Sequence, residues 1–121
     1  MAPHPPFEVR PANPGETMFR ILESESPRLE DFLSDEHVGR LRTLDETQNI
    51  AIYRGISVRA TLTQARNLAK LLRKPIIAEV LLVAEEGDCI ARTLHTRGHH
   101  TVWGAPERIS QRVLRTHQAM D

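Results

Sequence analysis

One segment of this sequence, residues 61–84, constrains the fold more than any other. In residues 61–74, leucines and alanines recur at helical spacing on one face and basic residues lie on another face. Thr61 precedes a glutamine by three residues, which is the spacing of an N-terminal capping box, and Pro75 stops the helix. Residues 76–84 then form a nearly continuous apolar run. The segment predicts an amphipathic helix followed by a buried, central strand.

Shorter apolar and β-branched runs predict further elements around this centre. Strands are predicted at residues 18–22, 50–53, 56–58, 89–94 and 101–103, and short helical turns at residues 29–33 and 34–39. The second and third of these strands are either one strand with a glycine bulge or two strands around a turn. Residues 106–118 are compatible with a helix, and residues 112–116 also with an edge strand. Because strands and helices alternate too little for a doubly wound sheet, we predict an α+β fold: a small mixed, mainly antiparallel sheet with one clear helix and one or two short helices.

The domain organisation follows from length and from proline placement. Residues 1–17 hold five prolines and predict a disordered leader, so residues 18–121 are expected to form a single α+β domain. No apolar run is long enough to span a membrane, and no secretory pattern opens the chain. The single Cys89 makes no internal disulfide. A cytoplasmic protein without a membrane partner is therefore expected.

Charge is balanced overall but segregated along the chain. The 16 basic and 16 acidic residues give no net charge, yet residues 47–78 contain six basic residues and no acidic residue. Such segments either converge on an anionic ligand or pair with acidic segments across the fold. Aromatic residues make up only 4% of the chain, so platforms for base stacking are lacking and nucleic acid is a disfavoured partner.

The most distinctive local feature is a histidine-rich run that ends in Trp103. It contains His95, His99 and His100, but adjacent strand residues point to opposite sides, so three imidazoles do not readily converge and no metal site is predicted. Structural or surface histidines are one interpretation, and anion binding or proton transfer is another. Under the second, His99 and His100 are candidate catalytic residues, and Thr101 and Trp103 are candidate ligand-binding residues. The position of Trp103 next to Gly104 and Pro106 favours plugging one end of a small core, and walling a pocket for a planar ligand is the alternative.

A second candidate region precedes the capped helix. Arg54, Ser57 and Arg59 lie shortly before its N-terminus, where amide groups can receive a phosphate or a carboxylate. Ser57 is a candidate catalytic residue and Arg54 a candidate ligand-binding residue. Neither of the glycine-rich phosphate-loop patterns occurs, which disfavours the standard nucleotide-loop enzymes.

The order of three residue types resembles a known family. Arg20 in the first strand, Ser57 in a later strand followed by a helix, and acidic residues beyond are similar to the Arg, Ser, Glu order of small bacterial mono-ADP-ribosyltransferase-like domains. The resemblance implies a split mixed sheet that holds nicotinamide adenine dinucleotide (NAD), with Arg20 on its phosphates and a glutamate that steers transfer. This sequence lacks the Ser-x-Ser and Glu-x-Glu pairs of that family, and its candidate glutamates are Glu79 and Glu107. The run from Gly98 to Pro106 also resembles uncharacterised bacterial proteins, a likeness that implies no activity.

Two functions are therefore expected, and whether the protein is an enzyme stays open. The first is a non-enzymatic protein-interaction module of a bacterial cytosolic system, an accessory or immunity-type partner that associates through its segregated charges. The second is an ADP-ribosyltransferase-like enzyme or nucleotide-binding domain with NAD as its cofactor. In it, one cleft would gather the candidate site residues, Arg20, Arg54, Ser57, His99 and His100. Exposed sheet edges are compatible with a homodimer.

Overall fold

The computed structural model describes residues 8–23, 27–39, 50–93 and 98–119. Its strands are β1 (Arg10–Pro11), β2 (Thr17–Ile21), β3 (Ile56–Arg59), β4 (Ile76–Leu81), β5 (Cys89–Arg92), β6 (His99–Trp103) and β7 (Val113–Gln118). Its α-helices are α1 (Asp35–Val38), α2 (Ile50–Arg54), α3 (Leu62–Leu72) and α4 (Pro106–Ser110), with 3₁₀ helices at Leu29–Phe32 and Ala84–Glu86. The predicted α+β class, with one helix much longer than the others, is confirmed.

The seven strands form one open sheet in the order β1-β5-β6-β3-β2-β4-β7. Every strand pair in the described residues is antiparallel. The long apolar strand β4 lies inside the sheet, between β2 and β7. In the described part of the chain, no helix is long and apolar enough to cross a bilayer.

Strand alternation divides the sheet into two faces. The core face carries the larger apolar cluster, which includes Met18, Val58, Val80, Ile90 and Val102. The opposite face, here called the α3 face, is covered by α3. There the buried Ala65 and Ala69 pack with Ile77, Phe19 and Ile21. Small side chains on the helix allow this close approach to the sheet.

Helix α3 begins and ends largely as its sequence predicts. The Thr61 hydroxyl accepts a hydrogen bond from the Gln64 backbone N–H at 3.2 Å, which satisfies an otherwise unpaired donor of the first turn. The helix ends at Leu72, and Arg73 adopts the left-handed conformation (φ 57°) before Pro75. Leu72, one of the leucines on the apolar face of the predicted helix, is 52% exposed.

The strand predicted at residues 50–53 is wrong. Residues 50–53 lie in helix α2, and the Gly55 N–H bonds the Ile52 carbonyl as the chain turns into β3. Burial of Ile52 and Tyr53 in the tertiary structure overrides the strand preference of β-branched residues. The two alternatives for residues 106–118 both occur, as α4 followed by edge strand β7.

The expected leader is ordered from Arg10 onward. Arg10 and Pro11 pair with β5, and Ala12 is buried in the core. The Arg10 guanidinium donates two hydrogen bonds, of 2.8 and 2.7 Å, to the Glu16 carboxylate. Pro11 is tolerated because β1 is an edge strand. Residues 10–12 thus pack against the rest of the domain, and residues 1–7 lie outside the described residues.

Candidate functional site

The sheet separates between β2 and β3. These neighbouring strands share a single register pair, Phe19 with Arg59, whereas β2 pairs with β4 over five residues and β3 pairs with β6 over four. The separation leaves a cleft of about 200 Å³ beside α3. This β2–β3 cleft is lined by Phe19, Arg20, Ile21, Glu23, Ser57, Val58, Arg59, Leu68, Leu72 and Lys74.

The lining of the cleft is cationic. Arg20, Arg59 and Lys74 contribute three positive groups, and Glu23 contributes the carboxylate of the described lining. The Lys74 ammonium lies 2.6 Å from that carboxylate. The described lining therefore holds three basic side chains and one acidic side chain, which favours an anionic occupant.

Ser57 reaches the cleft from β3 and is backed by a buried polar chain. Its hydroxyl oxygen lies 3.2 Å from His99 Nε2. The other imidazole nitrogen, Nδ1, lies 2.7 Å from the Thr93 hydroxyl, which lies 2.8 Å from the Thr101 hydroxyl. His99, Thr93 and Thr101 are all buried. A neutral imidazole donates through one nitrogen and accepts through the other, so the Ser57 and Thr93 hydroxyls take opposite roles on either side of it.

The electrostatics of His99 keep it neutral. Burial, followed by electrostatic repulsion from Arg59 and His100, lowers the pKa of His99 from 6.5 to about 4. A base this weak near neutral pH is poorly matched to removing a proton from a hydroxyl group. The arrangement therefore fits a histidine that orients Ser57 better than one that exchanges protons.

Arg20 bridges the gap between the separated strands. Its Nη1 donates to the Ser57 carbonyl at 2.7 Å, and its Nε donates to the Asp31 carbonyl at 2.9 Å. A side-chain hydrogen bond thus links β2 and β3 where their backbone pairing is interrupted. Arg20 and Ser57, two candidate residues, do come together, and Arg20 also holds the 3₁₀ helix against the sheet.

The adjacent histidine lies on the other side of the sheet. His100 is paired in register with Val58, whose side chain belongs to the core face, and its Nδ1 lies 2.8 Å from the Gly98 carbonyl. His99 and His100 therefore diverge, as strand alternation predicts. The fully buried Thr101 acts through Thr93, not through the cleft surface. One cleft does not gather all the candidate residues.

Arg54 and Trp103 share a separate depression of about 240 Å³, here called the Trp103 depression. The Arg54 guanidinium lies 3.1 Å from the Glu36 carboxylate there. Neither residue lines the β2–β3 cleft. The structure thus divides the predicted ligand-binding residues between two places.

The two glutamates named by the family resemblance do not line the β2–β3 cleft. Glu79 lies 2.9 Å from His117 Nε2 and 3.8 Å from the Arg115 guanidinium, toward β7. Glu107 is exposed in the first turn of α4. The carboxylate that does reach the cleft is that of Glu23.

Acidic and basic segments pair with each other across the fold. Besides the pairs of Arg54 with Glu36 and Lys74 with Glu23, the Arg112 guanidinium lies 2.7 Å from the buried Asp88 carboxylate. This pairing consumes several of the segregated charges inside the molecule. It weakens charge segregation as an argument for a protein partner.

Sequence reasoning missed Thr93, and it placed Arg59 near the start of α3 without naming it as a site residue. Arg59 follows Ser57 by two strand positions, so both point to the same face, and that spacing was a usable signal. The Thr93 hydroxyl contacts His99 because β5 pairs with β6. No local sequence pattern predicts that pairing. Among the described residues, no three His, Cys, Asp or Glu side chains are grouped for a metal ion. His95 lies outside them.

Comparison of the chain with protein-family models, curated proteins and solved structures finds no match. The function must therefore be argued from the site itself.

Proposed function

We propose that this domain binds the phosphate-bearing part of a nucleotide, with NAD or ADP-ribose as the leading candidates, in the β2–β3 cleft. The observation that carries the proposal is the Ser57 hydroxyl, which lines a cationic cleft and is held from behind by His99 at 3.2 Å. A phosphate oxygen accepts hydrogen bonds from a hydroxyl and from guanidinium groups. Ser57 and Arg59 supply both kinds of donor to one space.

The size of the cleft limits what it encloses. At about 200 Å³, it is smaller than pockets that bury a whole drug-sized ligand, so it would hold one part of a nucleotide and leave the rest at the surface. The apolar side chains of Phe19, Leu68 and Leu72 line the same space and would contact a sugar or a base. Chemically, the lining matches a ribose phosphate.

An ADP-ribosyltransferase-like activity is the catalytic form of this proposal. Its support is that Arg20 and Ser57 meet where the sheet is split, which is the arrangement the family resemblance implies. In this chain the Arg20 guanidinium donates to two carbonyls, whereas Arg59 lies on the same strand as Ser57 and lines the same cleft, so we assign Arg59 to the phosphate. Glu23, whose carboxylate lies 2.6 Å from the Lys74 ammonium and lines the cleft, would steer transfer. Release of nicotinamide from NAD would report this activity.

Calorimetric titration with NAD, ADP-ribose, AMP and inorganic phosphate tests the binding. We expect measurable heat with at least one nucleotide. Ser57→Ala should weaken that affinity roughly tenfold or more, because a hydrogen bond to a charged group contributes about 1.5–3 kcal/mol. Ser110→Ala is the matched control, since the Ser110 hydroxyl bonds the Glu107 carbonyl away from the cleft. Absence of heat with all four compounds, or equal affinity of Ser57→Ala and wild type, would reject the proposal.

A further inference from the structure

The last turn of α3 exposes two adjacent leucines. Leu71 is 66% exposed and Leu72 is 52% exposed, whereas Ala65 and Ala69 earlier in the helix are buried. No other neighbouring pair of large apolar side chains is exposed in the described part of the chain. Adjacent exposed leucines are a feature of surfaces that become covered by a partner.

Two cations flank these leucines, and neither has a partner among the described residues. Lys70 and Arg73 are both exposed. Within the described residues, neither side chain takes part in a hydrogen bond or an ion pair. Neighbouring basic residues differ, since Lys74 is paired with Glu23 and Arg66 donates to the Gln118 carbonyl at 3.1 Å. Lys70 and Arg73 therefore stay available to an external anion.

The surface beside this turn is concave. A depression of about 670 Å³ lies between the end of α3 and the end of β7, and Lys70, Arg73, Lys74 and Ala119 are among its lining residues. Leu72 and Lys74 also line the β2–β3 cleft on the other side. A protruding side chain of a partner can fill such a depression, whereas the flat surface of a bilayer would not contact its floor.

We propose that Lys70, Leu71, Leu72 and Arg73, together the α3 docking surface, bind an acidic polypeptide segment that carries bulky apolar side chains. The apolar side chains would cover the leucines and enter the depression. The carboxylates would meet Lys70 and Arg73. Charge complementarity supports this choice of partner, because Lys70 and Arg73 flank the leucines and neither has an acidic partner among the described residues. The proposal does not rest on a ligand in the β2–β3 cleft.

Selection of short random peptides displayed on phage against the full chain tests the proposal without presuming a sequence. Enriched peptides should combine Asp or Glu with Leu, Ile, Phe or Trp. Fluorescence anisotropy of one labelled enriched peptide should then show affinity weakened about tenfold or more in Lys70→Glu/Arg73→Glu, because opposed charges at an interface become like charges. Leu71→Ser should weaken it as well.

Matched variants elsewhere separate the surface from general effects of charge and polarity. Arg108→Glu/Arg115→Glu makes the same change in net charge at two other exposed arginines, and Leu114→Ser removes a leucine that is 48% exposed on β7. Both controls, and also Ser57→Ala, should bind the peptide as wild type does. The proposal is overturned if enriched peptides lack acidic residues or if the controls lose as much affinity as the α3 variants. It is equally overturned if vesicles containing phosphatidylserine bind the protein and the acidic peptides do not.

Discussion

The hydroxyl of Ser57 and the imidazole of His99 face each other across two paired strands, with 3.2 Å between Oγ and Nε2. They are 42 residues apart in the chain, and the pairing of β3 with β6 brings them together. Thr93 completes the support on the other side of the imidazole. The consequence is a serine hydroxyl that is oriented at the cleft before any ligand arrives.

The neutral state of His99 makes stability depend on pH. In the unfolded chain, His99 has its ordinary pKa of 6.5. In the native protein, burial lowers the pKa of His99 to about 4. The unfolded state then binds more protons, so stability is full above about pH 6.5 and is lost as the pH falls toward about 4. The loss amounts to roughly 3 kcal/mol, since a tenfold change in proton affinity is about 1.4 kcal/mol.

Urea denaturation of wild type and His99→Gln at several pH values measures this effect. The difference in unfolding free energy between the two proteins should shrink as the pH falls through that window. His37→Gln is the matched control, because His37 is exposed in α1. A constant difference between wild type and His99→Gln across the window would contradict the buried, neutral histidine.

Thr93 is predicted to be essential to the polar chain. In Thr93→Val, His99 Nδ1 and the Thr101 hydroxyl lose their shared partner inside the protein. An unsatisfied buried polar group costs about 1–3 kcal/mol, so the unfolding free energy should fall by that amount. Thr116→Val, on an exposed position of β7, should change it by less than about 0.5 kcal/mol. Equal urea midpoints for the two variants would show that the hydrogen bonds of Thr93 with His99 and Thr101 do not stabilise the fold.

Two ion pairs of different burial should differ in strength. The Asp88 carboxylate is 1% exposed, accepts a hydrogen bond from the Val83 N–H at 2.9 Å and lies 2.7 Å from the Arg112 guanidinium. Asp88→Ala removes the buried acceptor of the Val83 N–H and leaves Arg112 with Glu86, 3.3 Å away, as its acidic neighbour, so it should destabilise by about 1–3 kcal/mol. Glu36→Ala breaks the exposed pair with Arg54 and should cost at most about 1 kcal/mol. Thermal denaturation that ranks the variants in the opposite order would refute this assignment.

Backbone strain at Arg73 offers a stabilising substitution. Arg73 ends α3 with φ 57°, a conformation that glycine adopts without a steric penalty. Arg73→Gly removes the steric penalty of the left-handed conformation, and it adds the smaller entropy cost of ordering a glycine. The net effect should stabilise the protein by about 0.5–1 kcal/mol. Arg73→Ala removes the same side chain and keeps the strain. If both variants have the same melting temperature, strain is not the cause.

Local sequence patterns predict the centre of this fold and miss its pairings. Helix α3 and strand β4 are recognisable because capping, helical spacing and apolar length all lie within one segment. Helix α2 is mistaken for a strand because its β-branched residues favour strands locally, and tertiary burial decides otherwise. The divergence of His99 and His100 follows from alternation along a single strand.

The candidate site depends on information that a single sequence does not contain. Ser57 was recognised as a candidate, but its approach to His99 requires the register of β3 and β6. At the interruption between β2 and β3, Arg20 donates to the carbonyls of two distant segments, and no local pattern predicts either contact. Arg54 and Trp103 were candidates for the same ligand site as Ser57. The structure places them in a different depression, which the sequence alone does not reveal.

The location of a bound nucleotide is the most direct test of the proposed function. Two-dimensional ¹H–¹⁵N NMR spectra recorded during titration with ADP-ribose report which backbone amides sense the ligand. We predict that the shifts concentrate at Phe19, Ser57 and Arg59 around the β2–β3 cleft. Shifts confined to the Trp103 depression, or no shifts as ADP-ribose is added, would contradict the assignment of the cleft as the ligand site.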